Sequence, residues 1–382
     1  MLRITSIRTV LFVFAMQVQL IDDVDYERLT KAMQNATKII YNRVPKCGST
    51  TVRRALKRIA VKTRAFKFIG SKEHHNQRPR ETERQILVKQ LRSTYAPWIY
   101  DRHLHFIEFD RYNLSNVLYI NVVRRPVDRF FSWYYFIRFQ HRLDMPDTVR
   151  RRPFEKCVKE NYKECSELHS FQIGSVPYFC GQSDVCMEPS QAAVDRAKAN
   201  INKYFGVIGL TRDMVHTIAL LEQTSPHIFR NMTQFASYVI INGKRINKAN
   251  TNYTKYPAVM AIMNERMTYE NQLYEFIKQR FYSFLVRFKT DTFLQRKLLL
   301  YLGRIAGNDG PKRRKWRELA ERVKKERSRI DKSRKLMLNR KMNLLKEKKH
   351  RYKGKRRNLY ANNTKSRRYI KLNRRSMLNF KN

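Results

Sequence analysis

Two short segments of the 382-residue chain combine residue types suited to holding anionic groups. The first, Pro45-Lys46-Cys47-Gly48-Ser49-Thr50-Thr51, places a cation, a glycine and three hydroxyls in one tight turn. Between a strand and a helix, such a turn aims backbone N–H groups, the positive helix end and the lysine at one place. The bland alternative is a helix capped by Ser49 or Thr50. The segment lacks the Gly-x-x-x-x-Gly-Lys-Ser/Thr spacing of a nucleoside-triphosphate loop, so triphosphate hydrolysis is not supported. The second segment supplies Arg124 and, one or two helical turns on, Ser132; a guanidinium and a hydroxyl there would clamp a further phosphate. Arg125 and Arg129 beside them read equally as surface or structural charges. Two such devices point to a nucleotide phosphorylated at both ends of its ribose. Between them lies Tyr100-Asp101-Arg102-His103-Leu104-His105-Phe106, whose histidines could take a proton from a hydroxyl. If that stretch is a strand, His103 and His105 share a face. No cluster has convincing metal-ligand spacing.

The elements that must carry these residues are legible from apolar runs. Ala36–Val44 is short, rich in β-branched residues and stopped by Pro45, as expected of a buried strand. Val52, Ala55, Leu56, Ile59 and Ala60 then follow helical spacing. The pattern recurs with a strand over Val117–Val123, a break at Arg124-Arg125-Pro126, and a helix with Pro126 in its first turn. Tyr204–Leu210 reads as another strand, leading into a helix over Met214–Glu222, and residues 258–288 read as mostly helical. Alternating units of this kind predict an α/β domain with a central parallel sheet flanked by helices.

Charge is the dominant compositional fact. There are 80 Lys/Arg against 32 Asp/Glu, a formal net charge of +48. Residues 311–382 alone hold 30 basic and 5 acidic residues, leaving a body that is still strongly basic, so a polyanionic partner is expected. With 42% hydrophobic residues wholesale disorder is excluded, and without an uninterrupted apolar run of membrane-span length a polytopic membrane protein is excluded too. Beyond the Gly307–Gly310 boundary, Trp316, Val323, Ile330, Met337 and Leu344 recur every seven residues. Their flanking positions are polar, so a basic helical and disordered tail is expected in place of a coiled coil.

The N-terminal 30 residues run from Arg3 and Arg8 through an apolar stretch to Asp22, Asp23 and Asp25, the charge order of a signal peptide or signal anchor. Four of five cysteines, Cys157, Cys165, Cys180 and Cys186, cluster within 30 residues. Short-range pairing would close two small loops and leave Cys47 odd; a zinc site is the rival, weakened by the absence of Cys-x-x-Cys and the poor spacing of His169. Glycosylation sequons at Asn35, Asn113, Asn231, Asn252 and Asn362 add weak support for a lumenal protein.

Taken with their context, IIYNRVPKCGSTT and VVRRPVDRFFSWYYFIRF resemble the paired donor motifs of Golgi carbohydrate sulfotransferases. More closely they resemble the heparan sulfate and uronyl 2-O-sulfotransferases, the RHxHF histidine segment being nearer the uronyl branch. FEKCVKENYKEC, PYFCGQSDVC and YENQLYEFIKQRF are also similar to that family, so the likeness covers about residues 36–290, the expected catalytic domain. It implies a P-loop-like sulfotransferase fold using 3′-phosphoadenosine-5′-phosphosulfate (PAPS) as co-substrate, without a metal. By that resemblance Lys46, Cys47, Gly48, Ser49, Thr50 and Thr51 form the 5′-phosphosulfate loop, Arg124 and Ser132 grip the 3′-phosphate, and His103 is the base with His105 in reserve. Heparan-type relatives carry a histidine where this chain has Asp101. The resemblance also implies disulfides Cys157–Cys165 and Cys180–Cys186, a Golgi membrane location with a lumenal domain, and a homo-oligomer, trimeric in some members. The acceptor would be a glycosaminoglycan or related acidic glycan, met by Arg150, Arg151 and Arg152. The rivals are an inactive glycan-binding relative and a nucleic-acid-binding protein acting through its tail; the clustered cysteines and the lack of a nucleic-acid module weigh against the latter.

Overall fold

The apolar runs pair side by side as five parallel strands. In the computed structural model the described residues are 26–71, 76–139, 145–234 and 257–290, with Phe293 and Glu321, all within the unit Met16–Arg327. Strands β1 (Lys38–Asn42), β2 (Lys67–Gly70), β3 (Trp98–Arg102), β4 (Val117–Val123) and β5 (Phe205–Leu210) lie in the order β2-β3-β1-β4-β5. The expected α/β architecture is therefore the observed one. β4 and β5 are buried along their whole length and β1 along all but its first residue, as parallel strands covered on both faces must be. The edge strand β2 is partly exposed and bears Lys67.

Helix α1 (Tyr26–Gln34) sets Leu29 and Met33 into the core, so folded structure begins before the expected domain start at residue 36. Residues 1–25 of the expected targeting segment, Asn252, Asn362 and the basic tail apart from Glu321 lie outside the described residues. Among the described residues no helix is long and apolar enough to cross a membrane.

The chain leaves β1 through α2 (Ser49–Thr63) toward β2 and, after α3 (Glu81–Arg92), returns to β3 beside β1. It then passes to the other side of β1, where β4 is followed by α4 (Pro126–Phe139). The connections after β1 and β4 thus diverge, and in such sheets the crevice outside the strand ends at that reversal is where ligands bind. Both segments that sequence assigned to anion binding sit there.

A second apolar cluster stands behind α4. Val127, Phe130, Phe131 and Tyr134 pack on Phe154, Cys157 and Val158 of α5 (Phe154–Lys159), on Cys165, and on Val259, Met263 and Met267 around α10 (Pro257–Arg266). Between α5 and α10 come α6 (Glu167–Gln172), α7 (Val176–Cys180), α8 (Gln191–Tyr204) and α9 (Met214–Thr224), and α11 (Thr268–Arg287) closes the described body. Both short-range disulfides are present, Cys157–Cys165 and Cys180–Cys186, and Cys47 is free and buried. Fully buried Arg280 of α11 donates to the carbonyls of Gly206 at 2.8 Å and Phe205 at 2.5 Å. It thereby satisfies backbone where β5 carries an extra residue opposite Tyr119–Asn121.

Candidate active site

The turn after β1 is built on two left-handed residues, Lys46 (φ 64°) and Gly48 (φ 77°). Glycine suits the second position on steric grounds as well: a Cβ there would stand 3.0 Å from Met214 Cε and 3.4 Å from Thr211 Cγ2. Gly48 is itself the N-cap of α2, and no side chain caps that helix. The bland alternative, a cap by Ser49 or Thr50, is not what the structure has: both are the first helical residues, at a positive helix end that no side chain caps. Beneath the turn, the Thr211 hydroxyl lies 2.9 Å from the Cys47 carbonyl and 3.0 Å from that of Val123, tying the loop to the end of β4.

The two anion-binding segments converge. Lys46 Nζ rests 3.7 Å from the centroid of Phe136 on α4, and Ser132 sits four residues earlier on the same face of that helix. Burial, with the nearby Arg124 guanidinium adding to it, pushes the Lys46 ammonium down to about 8. Arg124 follows the last residue of β4 and is half-buried; Ser132 is buried. Cys47 is inert at neutral pH, because burial pushes its thiol up to about 11 against the opposing pull of Arg129 and Arg124.

Arg125 and Arg129 separate completely. Arg125 is an exposed partner of Asp128 at 2.7 Å, whereas Arg129 is fully buried near Glu270. The Glu270 carboxylate accepts the N–H groups of Ser175 and Val176, both at 2.7 Å, and so anchors the start of α7. Burial raises Glu270 above the usual carboxylate range, and Arg129 opposes that shift. α7 in turn reaches the strand ends: the Tyr178 carbonyl accepts from Asn42 Nδ2 at 2.8 Å and Phe106 N–H at 3.1 Å, and Asn121 Nδ2 donates to Asn42 Oδ1 at 2.9 Å.

The histidines differ from the expected strand-face pair. β3 ends at Arg102, so strand alternation does not extend to them. His103 is half-buried, with Nδ1 2.7 Å from the Arg43 carbonyl and Nε2 3.1 Å from Arg43 Nη1. His105 is buried, stacked edge-on against Tyr178 with ring centroids 4.9 Å apart. Burial, aided by Arg78, lowers the His105 imidazole to about 4, which leaves it neutral and walled into the core. Asp101, fully buried, contacts Nε of both Arg43 and Arg53, the latter at 2.5 Å. Neither Arg43, Phe136 nor Thr211 was singled out by motif; their signal was position alone, directly after a buried strand or on the helix of the second motif.

The three consecutive arginines also diverge. Arg150 donates to the Met145 carbonyl and stands 3.6 Å from Asp147, and Arg151 points to solvent with 79% of its side chain exposed. Arg152 is tucked in, 2.5 Å from Glu164 and stacked 3.6 Å over Tyr162. Asn35 and Asn113 are exposed and Asn231 is partly buried. Among the described residues no group of three His, Cys, Asp or Glu side chains is arranged to hold a metal.

The sequence profile described as the sulfotransferase family matches residues 31–277. Uronyl 2-sulfotransferase of Homo sapiens is 32% identical over 266 residues, which cover 66% of this chain and 64% of that protein; the Mus musculus enzyme gives the same figures. Heparan sulfate 2-O-sulfotransferase 1 of Homo sapiens is 31% identical over 258 residues, 64% of this chain and 70% of that protein. The match therefore spans a little under two thirds of the length of the uronyl relatives.

Proposed function

Because the chain belongs to the sulfotransferase family, we propose that it transfers a sulfuryl group from PAPS to the 2-hydroxyl of a uronic acid residue in a glycosaminoglycan. The observation that carries this reading is the meeting of Lys46, the uncapped start of α2 and the Arg124–Ser132 unit at the sheet's reversal point, with His103 at the end of the neighbouring strand. The names of the relatives, acting on uronyl and heparan sulfate positions, support the acceptor class.

The residues fit the donor's charge. Two phosphate groups and a sulfuryl group call for cations and N–H donors with little competing carboxylate, and the first turn of α2 contains no acidic residue. When bound, PAPS supplies the electrophilic sulfuryl group. Lys46, Gly48, Ser49, Thr50 and Thr51 hold its 5′ end, and Arg124 and Ser132 its 3′-phosphate. Once the acceptor hydroxyl displaces Arg43 Nη1 from Nε2, His103 takes its proton there as the oxygen attacks sulfur; the bond from sulfur to the phosphate oxygen breaks, and its electron pair leaves with the nucleotide. Lys46 and the α2 amides offset the charge that grows on that phosphate. His105, neutral and enclosed, holds the segment beside Tyr178 in this reading. Arg150 and Arg151 meet acidic acceptor groups, while Arg152 braces the loop that presents them.

A catalytic domain over about 36–290, a signal anchor in the Golgi membrane and a lumenal site complete the proposal, supported by the charge order of the N-terminus and the two disulfides. The test is sulfate transfer from radiolabelled PAPS to desulfated heparan, chondroitin and dermatan chains, with His103→Ala as control. Label on one chain, lost in the variant, supports the reaction and identifies the acceptor. Absence of label together with retained binding of the desulfated product, adenosine 3′,5′-bisphosphate (PAP), favours an inactive glycan-binding relative. Absence of PAP binding overturns the reading.

A further inference from the structure

From Ser49 to Lys67 the chain carries seven Lys and Arg residues and no Asp or Glu. Most of them lie on α2, whose inner face is formed by buried Val52, Ala55, Leu56 and Ile59. Arg54, Arg58 and Lys62 follow one another at four-residue spacing along the solvent side, with Lys57 beside them, and all four are exposed. At the helical rise of 1.5 Å per residue the row runs for about 12 Å. It starts three residues after Thr51, so one end adjoins the donor loop.

Ordinary structural reasons cover only part of this row. The helix dipole favours Lys62 in the last turn, and partly buried Arg53 is paired with Asp101 at 2.5 Å. Arg54 and Lys57 stand in earlier turns, and among the described residues neither forms an ion pair. Lys57 has its ammonium 5.8 Å from the centroid of Phe68 on β2, a contact that leaves the positive charge without a counter-charge. Like charges three and four residues apart repel, so the row works against the helix that bears it. A bound polyanion would turn that repulsion into attraction.

We propose that the solvent side of α2 is a docking track for an acidic glycan: while one sugar occupies the transfer site, the neighbouring length of chain lies along Arg54, Lys57, Arg58 and Lys62. The inference rests on the proposed acceptor class and adds where the unreacted part of that chain is held. A glycosaminoglycan is a linear polyanion, and the arginine fork matches its carboxylate and sulfate groups. Single-stranded nucleic acid is drawn by the same charge but calls for aromatic rings on which bases stack. α2 contains no aromatic residue, and the large apolar side chain it exposes is Val61.

The test uses the full chain with PAP bound and a heparin dodecasaccharide as probe, lysine acetylation being read residue by residue by mass spectrometry. With the probe in excess, Lys57 should be modified about fivefold more slowly, while exposed Lys89 of α3 stays within about twofold. Reading each lysine separately keeps binding elsewhere on the basic chain out of the comparison. An unprotected Lys57, or equal protection of Lys89, overturns the proposal. Stronger protection of Lys57 by single-stranded DNA of equal charge overturns it too. In turnover, Arg54→Gln with Lys57→Gln should raise KM about tenfold for a dodecasaccharide fragment of the accepting chain and leave that for a tetrasaccharide within about twofold. The salt dependence of the longer fragment's KM should become shallower, with kcat and PAP affinity unchanged and the melting temperature equal or higher. Equal rises in KM for both lengths, or a lowered melting temperature, mark the two cations as structural and sink the track. Failure of the wild type to transfer sulfate to any chain would instead strike the functional reading, because lysine protection is measured without turnover.

Discussion

The Lys46 ammonium lies 3.7 Å from the centroid of the Phe136 ring, so the helix after β4 fixes the principal cation of the loop after β1. An aromatic face attracts a cation without supplying a competing anion, which leaves the positive charge available to a ligand. Phe136→Leu should keep the fold and weaken PAP binding by about 1 kcal/mol, read by titration calorimetry.

Lys46 also sets a pH dependence. With its pKa lowered to about 8 by burial and by Arg124, the free site is charged below that pH and loses its proton above it. An anionic nucleotide binds the charged form better, so PAP affinity should be flat below about pH 8 and fall above it, with proton uptake visible as a buffer-dependent binding enthalpy. In Lys46→Ala the alkaline fall should disappear along with most of the affinity. The unfolded chain holds this proton up to its ordinary 10.5, so the lysine's effect on folding has the opposite trend: stability rises with pH between about 8 and 10.5.

Gly48 combines a left-handed backbone with neighbours at contact distance. Gly48→Ala should cost about 1–2 kcal/mol from backbone conformation alone, with further loss from displacing Met214. Thermal unfolding measures the first effect. PAP titration should reveal a disproportionate loss of binding, because the residue that must shift is the N-cap of α2.

The arginine triplet offers a contrast within three residues. Arg152→Ala removes a partner of Glu164 and the cation stacked on Tyr162, and should lower the melting temperature. Arg151→Ala touches no such contact, and its i,i+4 pair with Asp147 is exposed, so stability should be unchanged. Its expected effect is a higher KM for the acceptor chain and a shallower salt dependence of that KM.

Much of this architecture was written in the spacing of apolar residues. β4 was expected over Val117–Val123 and is found there, because a continuous buried run bounded by Asn116 and Pro126 allows little else. The strand of β5 and the helices following β1 and β5 were anticipated within two residues at most ends. β2, with its four partly exposed residues, has no comparable signal and was missed. The site divides in the same way. Lys46, Gly48 and Arg124 are legible because loops between strand and helix display their residue types, and Ser132 because it follows on the helix that the second loop opens. The Asp101–Arg43–His103 chain is not, since it joins positions 60 residues apart through the β1–β3 register, which depends on strand order. The misplaced alternation of His103 and His105 has a related cause: the strand stops one residue before His103, where the Arg102 carbonyl takes its last ladder bond from Arg43.

The Thr211 hydroxyl shares its one proton between the carbonyls of Cys47 and Val123, so the loop after β1 and the ends of β4 and β5 meet at a single atom. A loop fastened in this way has little slack to take up on meeting its ligand. Nucleotide capture should then be a one-step encounter, its rate set by long-range attraction to a basic surface and slowed by added salt. Thr211→Val would remove the fastening, and the same encounter would acquire a slower second phase as the loop settles around its guest.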